Sequence, residues 1–355
     1  MFEYQGVIHI HSTYSDGSGT IPEIIKAAQE VDLDFIIVTD HNTNQARKDG
    51  YEGWHNNLLL IVGYELNDKN DQNHYLVLGL DNVPEDYSDA KYYVDYVEQN
   101  NGIGFLAHPL EKRDKAGDIP AYPWTRWDIE NYTGIEIWNH MSEWVEGLTE
   151  KNKINMVIHP LKSINAPSVD ILRLWDTVNV KRVVPAIGSV DAHATKHPLG
   201  GVISLEIFAY KILFKSIRTH VFLEDSFEYR NSQSFDLYKK QVIKALQDGN
   251  SFISNYYHGD AKGFRFFASS KGKKYIMGSS FKKESNDIVD FLIQVPSVAE
   301  IRLLKNGEVI YQTNGMEVFF STSDFGNYRV EVLKEKKGSS FSKGWIFSNN
   351  IRILK

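Results

Sequence analysis

What most restricts the fold of this chain is an alternation, through its first two thirds, of short apolar runs with helical patterns. Strand-like runs stand at 6–11 (GVIHIH), 34–41 (DFIIVTDH), 58–65 (LLLIVGYE), 74–80 (HYLVLGL), 102–109 (GIGFLAHP), 134–139 (GIEIWN) and 183–193 (VVPAIGSVDAH). Amphipathic segments lie between them. In the first, Thr20 is a good N-cap with Glu23 three residues on, Pro22 falls in the first turn, and Ile21, Ile24, Ile25 and Ala28 recur on one face. Such alternation predicts an α/β fold, a mostly parallel sheet or barrel with outer helices. From about Lys262 the pattern changes to short alternating runs broken by turn residues, with Asn306-Gly307 suited to a tight hairpin. That stretch reads as a small all-β sandwich, which divides the chain into 1–260 and 261–355.

Polar residues gather where the apolar runs end. His9 and His11 are two apart, so on a strand they face the same side and Ile8 and Ile10 the other. Adjacent same-face imidazoles form a chelate, and burying them unpaired would cost about 1–3 kcal/mol each. His41 follows FIIVTD, Glu65 follows LLLIVGY, His108 ends GIGFLA, Asp191 and His193 end VVPAIGSV, and His74 opens the neighbouring run. In barrels of parallel strands functional groups collect at the strands' carboxyl ends, so these residues are expected to converge.

The set HIHSTYSDG, TDH, Glu65, His74, AHP and DAH resembles the polymerase and histidinol phosphatase (PHP) family of metal-dependent phosphoesterases. GIEIWNHMSEW, LRLWDTV, AIGSVDAHATKHPLG and IRTHVFL resemble its carbaryl hydrolase-like CehA/McbA branch, in which a β-rich domain follows the barrel. The resemblance covers residues 6–260 by motif, and implies a distorted (β/α)7 barrel holding two to three divalent transition-metal ions. It implies that His9, His11, Glu65 and Asp191 bind one ion. Glu65 would bridge to a second held by His74 and His108, and Asp16, His41 and His193 would hold a third. Glu65, Asp191 and His193 are the catalytic candidates. Asp16 has the simpler reading of a turn cap in SDGSG, His74 that of a surface residue at a strand start, and Asp40 is expected to orient a ligand or close the strand end.

Nitrogen and oxygen donors without sulfur suit zinc, manganese or iron alike. The chain has no cysteine, which removes disulfides, thiolate metal sites and cysteine nucleophiles together. It also lacks a G-x-S-x-G elbow, a Walker-type phosphate loop and a dinucleotide fingerprint. The implied activity is hydrolysis of a small phosphate ester, monoester or diester, by a hydroxide held between ions. A carboxyl ester, amide or carbamate is the alternative substrate on the same site, and a non-catalytic binding protein is the alternative of another class. A formal net charge of −7 gives no basic track for long nucleic acid, and no apolar run spans a bilayer. The expected partner is therefore a small-molecule phosphate ester in the cytoplasm, with an exported chain that has lost its leader left open, and the oligomeric state is also open. His140, His159, His197, His220 and His258 lack paired spacing. Arg47, Lys112, Arg113, Arg126, Lys196 and Arg218 are candidate anion contacts.

Overall fold

The computed structural model describes residues 1–113, 119–199, 203–206, 208–228, 230–335 and 342–355, with the side chains of 196–199 and 203–206 outside that description. The first sheet starts from β1 (Phe2–Ile8), β2 (Phe35–Val38), β3 (Gly53–His55) and β4 (Leu58–Val62). A second sheet runs β5 (Tyr64–Leu66), β6 (Tyr75–Leu78), β7 (Ile103–Leu106), β8 (Gly134–Asn139) and β9 (Ala186–Ser189), in that order. β10 (Lys196–Leu199) and β11 (Ile203–Glu206) form a separate pair.

β1, β2 and β4 pair in parallel, as do β7, β8 and β9, in keeping with strands joined through helices. All of them but β1, whose start is partly exposed, are buried along their whole length, which is why they read as apolar runs. The predicted run 58–65 is cut at Gly63, which sends β4 into one sheet and β5 into the other. A Cβ on Gly63 would lie 2.4 Å from the Val77 carbonyl oxygen, so only glycine permits the crossing. The first helix spans Ile21–Gln29, where the Thr20 N–H donates to Glu23 Oε2 at 2.7 Å and Ile21, Ile24 and Ala28 are buried.

Two expectations need correction. The sheets do not close into a (β/α)7 barrel: the first ends at β3, the second at β5 and β9, and among the described residues no ladder joins them. Only isolated bridges, Ile10 with Ala192 and His41 with Glu65, span the gap. The Ile10–Ala192 bridge is flanked by the left-handed His9 and Asp191.

The C-terminal region is β-rich as expected, but its strands extend the first sheet instead of forming a separate pair of sheets. β12 (Ile217–Leu223) pairs with β1 and with β13 (Ser251–Asn255). Beyond these come β14 (Arg265–Ser270), β15 (Lys273–Ile276), β16 (Ser280–Lys282), β17 (Val289–Lys305), β18 (Glu308–Thr322), β19 (Gly326–Glu335), β20 (Ser342–Ser348) and β21 (Ile351–Leu354). The join is β13 against β20, so sheet order runs β14, β17, β19, β20, β13, β12, β1. This region wraps its own core, including Phe266, Phe291, Ile301, Tyr328, Val330 and Trp345. Asn306 (φ 52°) and Gly307 (φ 87°) make the predicted turn between β17 and β18 with both residues left-handed.

The C-terminal region also braces the strands that carry the candidate ligands. The Asn349 carboxamide accepts from Ala186 N–H at 2.7 Å and donates to the Ala186 carbonyl at 3.0 Å, gripping the start of β9. The Arg329 guanidinium donates to both oxygens of Asp176 at 2.7 Å, on the helix Val169–Lys181 that packs on β8. Among the described residues no helix is long and apolar enough to cross a membrane.

Candidate metal centre

All nine expected ligand side chains meet in one place, just past the strand ends. His9, His11, Glu65, His74, His108 and Asp191 are buried, while His41, His193 and Asp16 face a cavity. The strand at 6–11 is shorter than its sequence suggests: β1 stops at Ile8 because His9 is left-handed (φ 66°). His108 (φ 30°) and Asp191 (φ 54°) share that uncommon conformation, held by neighbouring pairing such as His11 N–H to the Ala192 carbonyl at 2.9 Å. The turn at His9 brings its ring to 5.1 Å from that of His11.

Glu65 is at the middle. Its Oε2 is 2.9 Å from His9 Nε2, 3.2 Å from His11 Nε2 and 3.6 Å from His41 Nδ1. Its Oε1 is 2.8 Å from His74 Nδ1 and 3.5 Å from His108 Nε2. Asp191 Oδ1 lies 3.3 Å from His9 Nε2 and from His11 Nε2, and 3.5 Å from His193 Nδ1. Asp16 Oδ2 is 3.2 Å from His193 Nε2 and 3.8 Å from His41 Nε2. Asp16 is more than a turn cap and His74 is no surface residue, since both point into the cluster.

Donor atoms fall into four overlapping sets within 4.8 Å: His9, His11, Asp191; His9, Glu65, His108; His41, Glu65, His74; and His11, Asp16, His41, His193. Among the described residues this grouping differs from the expected one: Glu65 is absent from the set of His9, His11 and Asp191, His11 joins Asp16, His41 and His193, and no set holds His74 and His108 together. His74 and His108 meet opposite neighbours across Glu65, His41 for the first and His9 for the second.

Such a set fits divalent ions better than it fits a bare protein. Both ring nitrogens of His11, Nδ1 of His41, Nε2 of His74 and Nδ1 of His108 are buried without an aligned hydrogen-bond partner. Burial would raise the Glu65 carboxyl, but His9, His41 and His74 outweigh it and hold it well below the usual carboxylate range. Asp191 is held low against burial by His9, His11 and His193. Burial would lower His11 and His74, yet their carboxylate partners push them up to about 9 and about 10. Burial prevails at His41, which falls to about 4. The carboxylates thus ask for positive charge, which protons or metal ions can supply.

Several supporting residues were not singled out from the sequence. Glu136, buried in β8, accepts from His9 Nδ1 at 2.8 Å, from the Ser189 hydroxyl, from His108 N–H at 2.6 Å and from Asn139 at 3.0 Å. It fixes the His9 tautomer and leaves Nε2 free to ligate. An acid inside the apolar run GIEIWN was the available signal. Tyr210 donates its hydroxyl to the His11 carbonyl at 2.7 Å, and nothing local in the sequence marks it. Asp40, expected to orient a ligand or close a strand end, accepts from Ser12 N–H, the Ser12 hydroxyl and the Ser15 hydroxyl, each at 2.7 Å, and so shapes the turn after His11.

The cavity has a volume of about 620 Å³. A second, of about 220 Å³, contains His108 and Glu136 but none of the other candidate ligands, so a substrate meets them in the larger one. Of the candidate anion contacts with described side chains, only Arg113 lines the larger cavity. Arg47 is bound to Glu52 and Asp81, Lys112 to Asp170, and Arg126 to Asp89 and Asp128. Arg218 is buried under Tyr256 and donates to the Phe214 and Val31 carbonyls. The side chains of Lys196 and His197 lie outside the described residues. His220 is buried between Glu3 and Ser254, away from the centre.

Residues 8–115 match the PHP domain family. The match includes His9, His11, Asp16, His41, Glu65, His74 and His108 and stops short of Asp191 and His193. It goes no finer than the family, so the CehA/McbA branch remains an expectation. No curated protein matches the chain.

Among solved structures, a two-domain protein of Bacteroides vulgatus containing a predicted PHP-like metal-dependent phosphoesterase is similar at 14% identity and a TM-score of 0.46, over 98% of this chain and 95% of that one. PsfC from Pseudomonas syringae is similar at 14% identity and a TM-score of 0.38, over 69% of this chain and 100% of that one. An amidohydrolase from Chromobacterium violaceum is similar at 13% identity and a TM-score of 0.30, over 53% of this chain and 87% of that one. These scores are low, and the site is read from its own geometry.

Proposed function

We propose that the chain is a metal-dependent hydrolase that cleaves a small phosphate ester, monoester or diester, using two to three zinc, manganese or iron ions. The observation that carries this reading is Glu65, whose two oxygens face different imidazoles, the arrangement of a carboxylate shared between neighbouring ions. His9, His11, His41, His74, His108, His193, Asp16, Asp191 and Glu65 would hold the ions. Bound there, divalent ions supply Lewis acidity, which makes water a nucleophile near neutral pH and offsets charge on phosphoryl oxygens.

The protein's own part is orientation. Glu136 fixes His9 through Nδ1, and His193 Nδ1–H donates to the Asp191 carbonyl at 3.0 Å, which leaves Nε2 of each ring free to ligate. Glu65 and Asp191 stay ionised across the neutral range and keep the cations close. His193 and Asp16 line the open side, where the phosphoryl group would enter. A cluster of cations favours a substrate with several anionic oxygens over a single carbonyl.

The test compares kcat/KM for phosphate monoesters, phosphodiesters and aryl carboxylates or carbamates with one common leaving group, in manganese and in zinc. A phosphate is expected to lead. A carboxyl or carbamate substrate favoured by tenfold, about 1.4 kcal/mol, overturns the choice of bond, and a metal-loaded protein that turns over none of them overturns the hydrolase.

A further inference from the structure

The large cavity is lined by candidate metal ligands and also by a group of apolar and aromatic side chains. Met141 and Val145, one turn apart on the helix His140–Glu146, line it together with Ile119 and Tyr122 from the segment after β7. Ile119 is 40% exposed, a large apolar side chain left uncovered at the mouth of a charged site. Tyr122 is fixed in place: its N–H donates to the buried Glu111 Oε2 at 2.8 Å, and its ring stacks on His74 with centroids 5.1 Å apart.

Among the described residues, the cationic capacity of this lining is already committed. Arg113 is the one lysine or arginine among the described residues that line the cavity. Its Nη2 is 2.5 Å from Glu111 Oε1, its Nη1 donates to the Pro120 carbonyl at 2.5 Å, and its guanidinium lies 5.3 Å from the centre of the Tyr122 ring. At the rim Asp71 adds a further negative charge, 3.6 Å from His74 Nε2. Among the described residues, a substrate with a second anionic group would meet no uncommitted lysine or arginine there and would face the Asp71 carboxylate. An apolar group would instead leave water for Ile119, Met141, Val145 and the edge of Tyr122.

On the reading of the site as a phosphoesterase centre, we propose that the preferred substrate carries a single phosphoryl group on an apolar leaving group of about the size of one ring, and that Ile119 and Met141 set this preference. The cavity volume of about 620 Å³ is ample for a ligand of that size.

Non-hydrolysable phosphonates test this separately from turnover. Metal-loaded full chain is titrated by calorimetry with methylphosphonate, benzylphosphonate and 3-phosphonopropionate. Benzylphosphonate is expected to bind about tenfold or more tighter than methylphosphonate, and the carboxylate-tailed compound no tighter than methylphosphonate. In the double variant Ile119→Ser/Met141→Ser, both at partly exposed positions, the benzyl-to-methyl ratio is expected to fall toward one. Methylphosphonate binding without a benzyl advantage overturns the inference and spares the phosphoesterase reading, as does a double variant that keeps the full ratio. Failure of every phosphonate to bind overturns the phosphoesterase reading itself, and this inference with it.

Discussion

Replacing Glu65 by glutamine exchanges one carboxylate oxygen for an NH2 at the point where most of the site meets. Three imidazole nitrogens lie within 3.6 Å of Oε2 and two within 3.5 Å of Oε1. An amide keeps one neutral acceptor oxygen and presents an NH2 on the other side, so all five imidazoles lose their anionic partner and either His9, His11 and His41 or His74 and His108 also lose an acceptor. The charge that balances the ions also disappears. Losing a residue that merely orients a ligand costs about 10–100-fold in metal affinity or activity, and a shared ligand should cost more. We expect Glu65→Gln to lose at least one ion per chain and about 10³-fold or more in kcat/KM, roughly 4 kcal/mol. Elemental analysis and steady-state kinetics are read together, with circular dichroism to confirm folding and His258→Ala, distant from the cluster, as a control with parental turnover. A folded Glu65→Gln protein that keeps its metal content and most of its activity would refute the shared role.

Glu136→Gln should weaken metal binding by about 10–100-fold, measured by competition with a chelator, because the His9 tautomer loses its carboxylate acceptor. In metal-free protein, His11 and His74 are raised in the folded state to about 9 and about 10, so their stabilising contribution is complete below about pH 6.5, the unfolded value, and is lost as pH rises through 9 to 10. Melting temperature of the metal-free chain should therefore fall across that window, while the metal-loaded chain, whose imidazoles must already be deprotonated to ligate, should change less; parallel profiles would contradict this. Asp176→Ala removes two of the hydrogen bonds of the buried Arg329 guanidinium and leaves it Glu331, which should cost about 1–3 kcal/mol in denaturant unfolding while metal content per folded chain holds.

Much of this was legible in the sequence where local rules govern. The Thr20–Glu23 cap and the Asn306-Gly307 turn appear as read and each apolar run contains a strand, though several are shorter than the run, because each depends on a few neighbouring residues. The nine clustered side chains were legible for a different reason. Histidines and acids after separate apolar runs are costly unless they converge.

Closure was not legible, since it depends on pairing between distant segments. Neither the join of β13 to β20 nor the reduction of barrel closure to isolated bridges leaves a local trace. The break at His9 was hidden by the regular spacing of His9 and His11, which reads as strand, while the backbone turns left-handed to aim the first ring. Tyr210 escaped notice because it reaches a backbone carbonyl 199 positions away in sequence, whereas Glu136 was marked by an acid in an apolar strand.

The number of ions bound tests the central claim most directly. Protein purified without chelator, loaded in turn with manganese, zinc and iron and freed of excess, should hold two to three ions per chain by elemental analysis, since the donor atoms form several overlapping sets with Glu65 between them. A chain that never holds more than one ion under any of these conditions would contradict the account.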